Sequence, residues 1–261
     1  MMVKICNPLK KEFKISLISY LNSRPFVYGL EHAPRKEEME LYLDIPSRTA
    51  DKLKNGQADV GLVPVGALTD LPGHTIISDY CIGAVGAVRT VVLASEVPLE
   101  EIRSVILDYH SRSSVLLVRV LARHFWKKEF RWEQGTPGYE KTGIAGNTAG
   151  VVIGDRVFDA EKRYPYIYDL SAEWMKFSGL PFVFAVWVTC RDLPQEFLRK
   201  LNDALAFGVG SVPRVEEMEK ENYPGVDVYT YFTENISYTL DEPKWQGMKH
   251  FLELAAGLEQ V

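Results

Sequence analysis

Three serines and one arginine stand at a predicted strand-to-helix turn, where their chemistry suits an anion. A short apolar run at residues 104–109 predicts a strand, and an apolar-rich stretch at 115–126 predicts the helix after it. The first turn of that helix offers free backbone N–H groups, hydroxyls and a guanidinium, which together can hold a carboxylate or phosphate. Most serine-rich helix starts only cap their helix, and that interpretation also stays open here. The candidate residues are Ser111 as the N-cap, Arg112, Ser113 and Ser114.

A second polar cluster follows the first predicted strand, residues 14–19. In an α/β protein, side chains just past the carboxyl end of a strand face the ligand crevice. We therefore expect Ser19, Tyr20 and Asn22 to face such a crevice, with Pro25 opening the next helix. From the local residues alone, an ordinary Asx turn at Asn22 is the simpler explanation.

The intervening pattern predicts β-α-β winding. Residues 40–45 predict a strand, 49–55 a helix that stops at Gly56, and 58–63 a buried parallel strand. Residues 75–95 then form the longest strand-like region, which is interrupted by glycines. This order of elements is typical of an α/β fold.

Two lobes are expected from where the winding restarts. The β-α-β pattern begins again after Ala94, and a wholly apolar strand within residues 174–190 predicts a crossing back that is covered on both faces. We therefore assign residues 1–94 and 191–261 to lobe 1, and residues 95–190 to lobe 2.

Composition limits the classes of function. The 261 residues are 46% hydrophobic, which is enough for a sizeable core, and the net charge of −5 argues against a nucleic-acid or anionic-membrane partner. No secretory signal is recognisable, and three widely spaced cysteines favour reduced thiols, so we expect a cytoplasmic protein. Five histidines without ligand spacing predict no metal site, and we expect no organic cofactor. The sequence does not settle the oligomeric state.

Eight short phrases occur in order across nearly the whole chain: residues 19–26 (S-Y-L-N-S-R-P-F), 61–64 (G-L-V-P), 88–91 (V-R-T-V), 107–108 (L-D), 111–115 (S-R-S-S-V), 153–155 (I-G-D), 178–187 (S-G-L-P-F-V-F-A-V-W) and 235–238 (N-I-S-Y). This ordered set resembles the chorismate dehydratase family of the futalosine menaquinone pathway. This sequence has Thr90 where the family often has Ser, and Ser113 where it commonly has Thr, so both positions keep a hydroxyl. The sister branch that makes dihydroxynaphthoate usually has a different phrase, with Cys, Pro and Asn, after the first strand.

This resemblance implies a two-lobed fold similar to type II periplasmic binding proteins, with the ligand in the cleft between lobes. It also implies that chorismate, a dianion, loses water to give 3-[(1-carboxyvinyl)oxy]benzoate. We assign Asn22 and Thr90 as catalytic residues at the reacting ring carboxylate, and the turn at residues 111–114 to the other carboxylate, although the reverse assignment is also open. Arg89 is a further substrate-binding candidate. Arg89 or Arg112 could instead make a structural ion pair.

No His, Glu or Asp within the matching phrases is an obvious base for removing the ring proton. Asp155 is included among the substrate-binding candidates, although its simplest role is a helix N-cap, and Asp108 is most simply a turn residue. His110 lies outside the family phrases. We therefore consider that the enolpyruvyl carboxylate of the substrate itself takes the proton, with the cleft holding a reactive geometry.

Two other classes of function remain open from the sequence. A solute-binding or sensory domain for a small carboxylate needs the same anion donors without catalysis, since fold does not fix chemistry. The sister dihydroxynaphthoate synthase is the second alternative. An aromatic wall predicted from Phe182, Phe184 and Trp187 does not distinguish an enzyme from a binding protein.

Overall fold

The computed structural model describes residues 13–33 and 38–258. The strands are β1 Phe13–Ile18, β2 Met39–Asp44, β3 Val60–Pro64, β4 Thr75–Ala84, β5 Val91–Ser95, β6 Ser104–Leu107, β7 Arg131–Gln134, β8 Thr148–Ile153, β9 Tyr166–Asp169, β10 Phe182–Thr189 and β11 Ser237–Thr239. The α-helices are α1 Arg24–His32, α2 Pro46–Lys54, α3 Arg112–Val120, α4 Tyr139–Thr142, α5 Val157–Arg163, α6 Leu170–Ser178, α7 Gln195–Gly210, α8 Val212–Glu219, α9 Val228–Thr230 and α10 Glu242–Ala256.

Within residues 13–33 and 38–258, the first sheet has six strands in the order β11-β4-β10-β3-β1-β2. Strands β1, β2 and β3 run parallel, as the predicted β-α-β winding requires, while β10 is antiparallel to both β3 and β4. All eight residues of β10 are buried. The prediction that this apolar strand is covered on both faces is therefore confirmed.

In the described part of the chain, the second sheet has five strands in the order β7-β6-β8-β5-β9. The chain leaves the first sheet after Ala84 and enters the second at Val91, somewhat before the boundary expected near Ala94. It rejoins the first sheet at Phe182, so strand β10 belongs to the first sheet although its sequence range was assigned to lobe 2. The assignment of strands to sheets therefore places the two crossings of the chain between the sheets at residues 85–90 and 179–181.

The region predicted as one long strand, residues 75–95, is divided between the two sheets. Gly86 has φ +92°, and Arg89 has φ +67°, both in the left-handed region. These conformations end strand β4 and turn the chain toward β5, because a strand requires extended backbone. A turn of this kind is poorly signalled at Arg89, since a non-glycine residue rarely adopts it.

Helix α3 begins where the sequence predicted. Ser111 is its N-cap, and the Ser111 side chain accepts a hydrogen bond from the Ser114 backbone N–H. The helix continues into a π-helical segment, Leu121–Trp126, and ends at Lys127 with φ +54°. Residues 111–114 therefore form the opening turn of a helix that follows strand β6.

Close helix packing completes the first lobe. A Cβ atom on Gly29 would lie 2.1 Å from the Ala204 carbonyl oxygen, and one on Gly208 would lie 1.9 Å from the Pro25 carbonyl oxygen. Only glycine permits this approach of α1 and α7. Among the described residues, no helix combines the length and apolar character needed to cross a bilayer.

Candidate functional site

A small cavity of about 50 Å³ lies between the two sheets. One wall comes from the ends of β1, β3, β4 and β10, and the other from residues beside β5, α3 and β8. The volume is well below the roughly 300–1,000 Å³ typical of small-molecule sites, so the two halves are close together here. The lining residues are Ile18, Tyr20, Asn22, Pro64, Ile82, Val88, Thr90, Val91, Ser111, Ser113, Ser114, Ile153, Gly154, Phe184 and Ala185.

All of these lining residues are neutral, and their polar groups are hydroxyls, a phenol and an amide. Neutral hydrogen-bond donors can bind a carboxylate strongly, because a bond to an ionised group is about twice as strong as one between neutral groups. The cavity thus combines apolar walls with a few converging polar groups, which is typical of a small-molecule site.

Asn22 is held firmly on a short 3-10 turn, Leu21–Ser23, directly after β1. The Tyr238 hydroxyl donates to the Asn22 carbonyl at 2.9 Å, and the Ser23 hydroxyl donates to the Tyr20 carbonyl at 2.9 Å. The side-chain oxygen of Asn22 is buried and has no hydrogen-bond partner among the described residues. An unpaired buried amide oxygen is costly in a folded protein, so it is suited to a ligand that supplies a donor such as a hydroxyl, whereas the Asn22 Nδ2 group is the part that can donate to a carboxylate.

Thr90 presents a hydroxyl that is tied to a buried tyrosine. The Thr90 Oγ1 atom lies 2.8 Å from the Tyr231 phenolic oxygen, and the Thr90 carbonyl accepts from the Gly154 N–H at 2.8 Å. Burial raises the pKa of Tyr231, which keeps the phenol protonated. Sequence reasoning missed Tyr231, because it lies 141 residues away in a π-helical segment, Tyr231–Asn235.

A half-buried carboxylate fixes the backbone beside Thr90. Asp169 accepts from the Arg89 N–H at 2.6 Å and from the Val88 N–H at 3.2 Å. The same carboxylate caps α6. These bonds hold Arg89 in its left-handed conformation and so orient the next residue. Sequence reasoning missed Asp169, because the two N–H groups that it binds lie about 80 residues away in the chain.

At the start of α3, the Ser111 and Ser114 hydroxyls form a pair. Ser111 Oγ accepts from the Ser114 N–H at 3.1 Å and donates to Ser114 Oγ at 2.8 Å. The Ser114 hydroxyl accepts this bond, so its own proton remains for another acceptor. The first N–H groups of the helix add the positive end of its dipole.

Ser113 joins the two halves of the protein. Its hydroxyl accepts from the Gly66 N–H at 3.0 Å and donates to the Phe184 carbonyl at 3.0 Å. Both partners belong to the first sheet or its neighbouring helical turn. Ser113 therefore lines the cavity while using its hydroxyl proton to hold the lobes together.

Tyr20 lines the cavity from the first lobe. The face of its ring lies against Gly154, where a Cβ atom would come within 3.1 Å of ring carbons, and Gly154 has φ +61°. The Tyr20 hydroxyl lies 3.3 Å from Nδ1 of His110. Burial raises the pKa of Tyr20 to about 12, so the phenol is protonated at neutral pH.

Asp108 links the backbone of His110 to the side chains of Tyr139 and Arg156. Asp108, expected as a turn residue, accepts from the His110 N–H at 2.8 Å, the Tyr139 hydroxyl at 3.0 Å and Arg156 Nη2 at 2.5 Å. Burial lowers the pKa of His110, which favours the neutral ring. Arg156 and Tyr139 were missed by sequence reasoning, since their partner is far away in the chain.

Four predicted site residues do not line the cavity. Arg89 pairs with Glu161 at 3.1 Å, and Arg112 forms an exposed ion pair with Asp70. These are the structural ion pairs that the sequence left open as the alternative. The other two residues are Ser19, whose N–H donates to the Asp44 carbonyl at 3.1 Å, and Asp155.

Asp155 connects the lobes beside the cavity. Its carboxylate accepts from the Leu21 N–H at 3.2 Å and from the Tyr223 hydroxyl at 2.8 Å. Its side chain does not make an N-cap hydrogen bond to the next helix, α5, which was its simplest expected role. Burial raises the pKa of Asp155, although both hydrogen bonds favour the charged form.

Only one member of the expected aromatic wall reaches the cavity. Phe184 lines it, whereas Phe182 packs edge-on against Trp174 and Trp187 packs against Phe26 in the core.

Within residues 13–33 and 38–258, no three His, Cys, Asp or Glu side chains are grouped in a way that could hold a metal ion.

The chain is similar to known proteins over nearly its full length. A curated chorismate dehydratase from Thermus thermophilus is 27% identical over 266 residues, covering 90% of this chain and 96% of that protein. A solved structure from Archaeoglobus fulgidus has a TM-score of 0.75 at 15% identity, covering 98% of this chain and 100% of that chain.

A Candida albicans gene product described as having the generic periplasmic binding protein fold has a TM-score of 0.69 at 15% identity, covering 96% of this chain and 92% of that chain. Such identities show the fold alone, and they confirm the predicted two-lobed, periplasmic-binding-protein-like α/β architecture. The profile of a family described as menaquinone biosynthesis matches residues 13–257. Because that match includes both lobes and every cavity-lining residue, the chain belongs to the menaquinone biosynthesis family.

Proposed function

We propose that this protein is a lyase that dehydrates chorismate to 3-[(1-carboxyvinyl)oxy]benzoate, a menaquinone precursor, in the cytoplasm. The observation that carries the proposal is the cavity between the lobes, which is lined by hydroxyls and by the amide of Asn22, neutral groups that can donate to a carboxylate. The similarity to a chorismate dehydratase over 90% of the chain supports the same substrate.

The reaction requires charge to move onto the ring carboxylate. The ring proton beside the enolpyruvyl ether is acidified through the ring double bond, so electron density builds up on this carboxylate as the proton leaves. Donors that strengthen their bonds to the developing charge lower the barrier. We assign that role to Asn22 and Thr90, with the Tyr231 hydroxyl orienting the hydroxyl of Thr90.

The second carboxylate is assigned to the opening turn of α3. The Ser114 hydroxyl retains a proton to donate, and the first backbone N–H groups of the helix face the same end. Ser111 acts mainly by orienting Ser114, since its own hydroxyl is used within the pair. This assignment leaves the substrate folded between the two lobes.

The proton acceptor is assigned to the enolpyruvyl carboxylate of the substrate. No carboxylate or imidazole belongs to the cavity lining in the described part of the chain, and Asp155 already accepts two hydrogen bonds. A substrate carboxylate held beside the ring proton acts as an intramolecular base, for which effective concentrations are high. The protein's contribution is to hold that geometry and to exclude water.

Substrate entry requires the lobes to separate. A cavity of about 50 Å³ is too small for chorismate, and hydrogen bonds from Ser113 and Asp155 join the two halves. Hinge opening of this kind is the usual behaviour of two-lobed binding folds. The described arrangement thus corresponds to a closed form.

The direct test is to incubate the protein with chorismate and analyse the mixture by mass spectrometry. The proposal expects consumption of chorismate and a product lighter by one water. Unchanged chorismate beside protein that binds it would instead indicate a carboxylate-binding protein. An Asn22→Ala variant purified in parallel controls for contaminating enzymes, because its rate should be greatly reduced.

A further inference from the structure

The leaving hydroxyl of the proposed reaction also needs a partner. Hydroxide is a poor leaving group, and a positioned acid that protonates it contributes about 10²–10⁴-fold to such reactions. The donors assigned above are directed at the carboxylates. One polar side chain of the cavity has no role in that scheme, namely Tyr20.

We propose that Tyr20 is the general acid that protonates the departing hydroxyl, and that His110 restores its proton. This inference rests on the proposed function. The Tyr20 ring lines the cavity, and its hydroxyl lies 3.3 Å from His110 Nδ1. The backbone of Gly154 packs against one face of the ring, where an added Cβ atom would lie 3.1 Å from ring carbons.

Burial keeps Tyr20 in the form that an acid requires. It raises the pKa of the phenol most, while Arg156 lowers that pKa and Asp108 and Asp155 raise it further, and the result is a pKa of about 12. The phenol is therefore protonated at neutral pH. A weak acid of this kind gives up its proton only as the much more basic hydroxide forms.

The proton balance closes without an additional reactant. The ring C–H bond breaks as its proton passes to the substrate carboxylate, and its electrons form the new ring double bond. The ring C–O bond breaks, the oxygen keeps the electron pair, and the phenolic proton of Tyr20 converts it to water. His110 Nδ1–H then returns a proton to Tyr20 while Nε2 takes one from solvent. The substrate's carboxylic acid finally releases its proton to solvent.

His110 is suited to this relay by its position. It belongs to the loop after β6 in the second sheet, and Asp108 fixes its backbone. Burial lowers its pKa, so the ring is neutral and can exchange tautomers at neutral pH. The Tyr20–His110 pair forms only when the two lobes are together, which couples the acid to closure.

The decisive experiment compares Tyr20→Phe with wild type on two substrates. The first is chorismate, and the second is an analogue in which fluoride replaces the ring hydroxyl, because fluoride leaves without being protonated. Wild-type turnover of chorismate is measured first, and its absence would refute the proposed function rather than this inference. Tyr20→Phe should lose on the order of a hundredfold or more in kcat on chorismate, yet release fluoride within a fewfold of the wild-type rate.

Equal losses on both substrates, or no loss on either, would overturn the assignment of Tyr20. Chorismate binding and the thermal melting curve show that Tyr20→Phe is folded. Tyr28→Phe is the matched control, because Tyr28 stacks on His32 away from the cavity and loses the same atom. His110→Ala should be slowed on chorismate and recover with added imidazole, and failure to recover would overturn the relay.

Discussion

The phenolic oxygen of Tyr231 lies 2.8 Å from the hydroxyl oxygen of Thr90, with Tyr231 1% exposed. This bond joins the C-terminal part of the chain to the start of β5. A phenol is a better donor than an aliphatic alcohol, so Tyr231 directs the proton of Thr90 toward the cavity. The reactive orientation of Thr90 therefore depends on a residue that does not line the site.

Tyr231→Phe tests that dependence. Losing one hydrogen bond of about 0.5–1.5 kcal/mol should lower kcat for chorismate roughly threefold to tenfold with little change in KM. Tyr229→Phe is the matched control, since Tyr229 is exposed in the adjoining helix α9. Thr90→Ser should keep most activity and Thr90→Val should lose it, as steady-state kinetics can measure. Full activity in Thr90→Val would contradict the role of this hydroxyl.

Asn22→Ala should slow turnover by on the order of tenfold to a few hundredfold. The estimate follows from a hydrogen bond to a charged group, worth about 1.5–3 kcal/mol. Stability should hardly fall, because the amide oxygen has no partner among the described residues to lose. Kinetics with chorismate and urea unfolding measure the two effects. A large loss of stability with unchanged kcat would instead assign Asn22 a structural role. The control variant is Asn147→Ala, because Asn147 lies in an exposed loop.

Gly66→Ala should disturb the closed arrangement of the lobes. An added Cβ would lie 2.8 Å from the Ser113 nitrogen and 2.9 Å from the Arg112 carbonyl carbon, and neither backbone atom can move freely. We expect destabilisation of about 1–3 kcal/mol and a lower kcat/KM. Gly210→Ala is the control, since nothing lies within 4 Å and alanine favours a helix. Equal stability of both variants in urea unfolding would contradict this contact.

The stability difference between wild type and Asp155→Asn should depend on pH. Burial raises the folded-state pKa of Asp155 above its usual 3.8. At a pH between the unfolded-state pKa and the raised folded-state pKa of Asp155, the folded protein binds more protons than the unfolded one. The stability that protonated Asp155 contributes is therefore complete below about pH 4 and is lost as the pH rises through the raised pKa. Urea unfolding of both proteins from pH 4 to 7 should show wild type losing stability relative to the variant. A difference that rises with pH would contradict this sign.

Asp155→Asn also distinguishes a structural role of Asp155 from a catalytic one. Because Asp155 accepts from Leu21 and Tyr223 and does not line the cavity, Asp155→Asn should keep catalysis while altering lobe closure. Loss of kcat with chorismate binding intact would instead identify Asp155 as a protein base.

The sequence alone determined the local features of this protein. The apolar runs predicted β1, β3 and β10, and the serine phrase predicted the N-terminus of α3, because periodicity and capping depend on neighbours in the chain. The ordered phrases also predicted the family, since they preserve residues on both sides of one cleft. Ser111 as the N-cap follows from local chemistry alone.

Only the tertiary structure decided which polar groups meet. Arg89 and Arg112 were substrate-binding candidates because an arginine can bind a carboxylate. In the structure they form ion pairs with Glu161 and Asp70, which are distant in the sequence and cannot be found from its periodicity. Tyr231 reaches Thr90 across 141 residues for the same reason. A hydrogen bond requires about 3 Å between two atoms, and that distance depends on how sheets and helices pack rather than on spacing in the sequence.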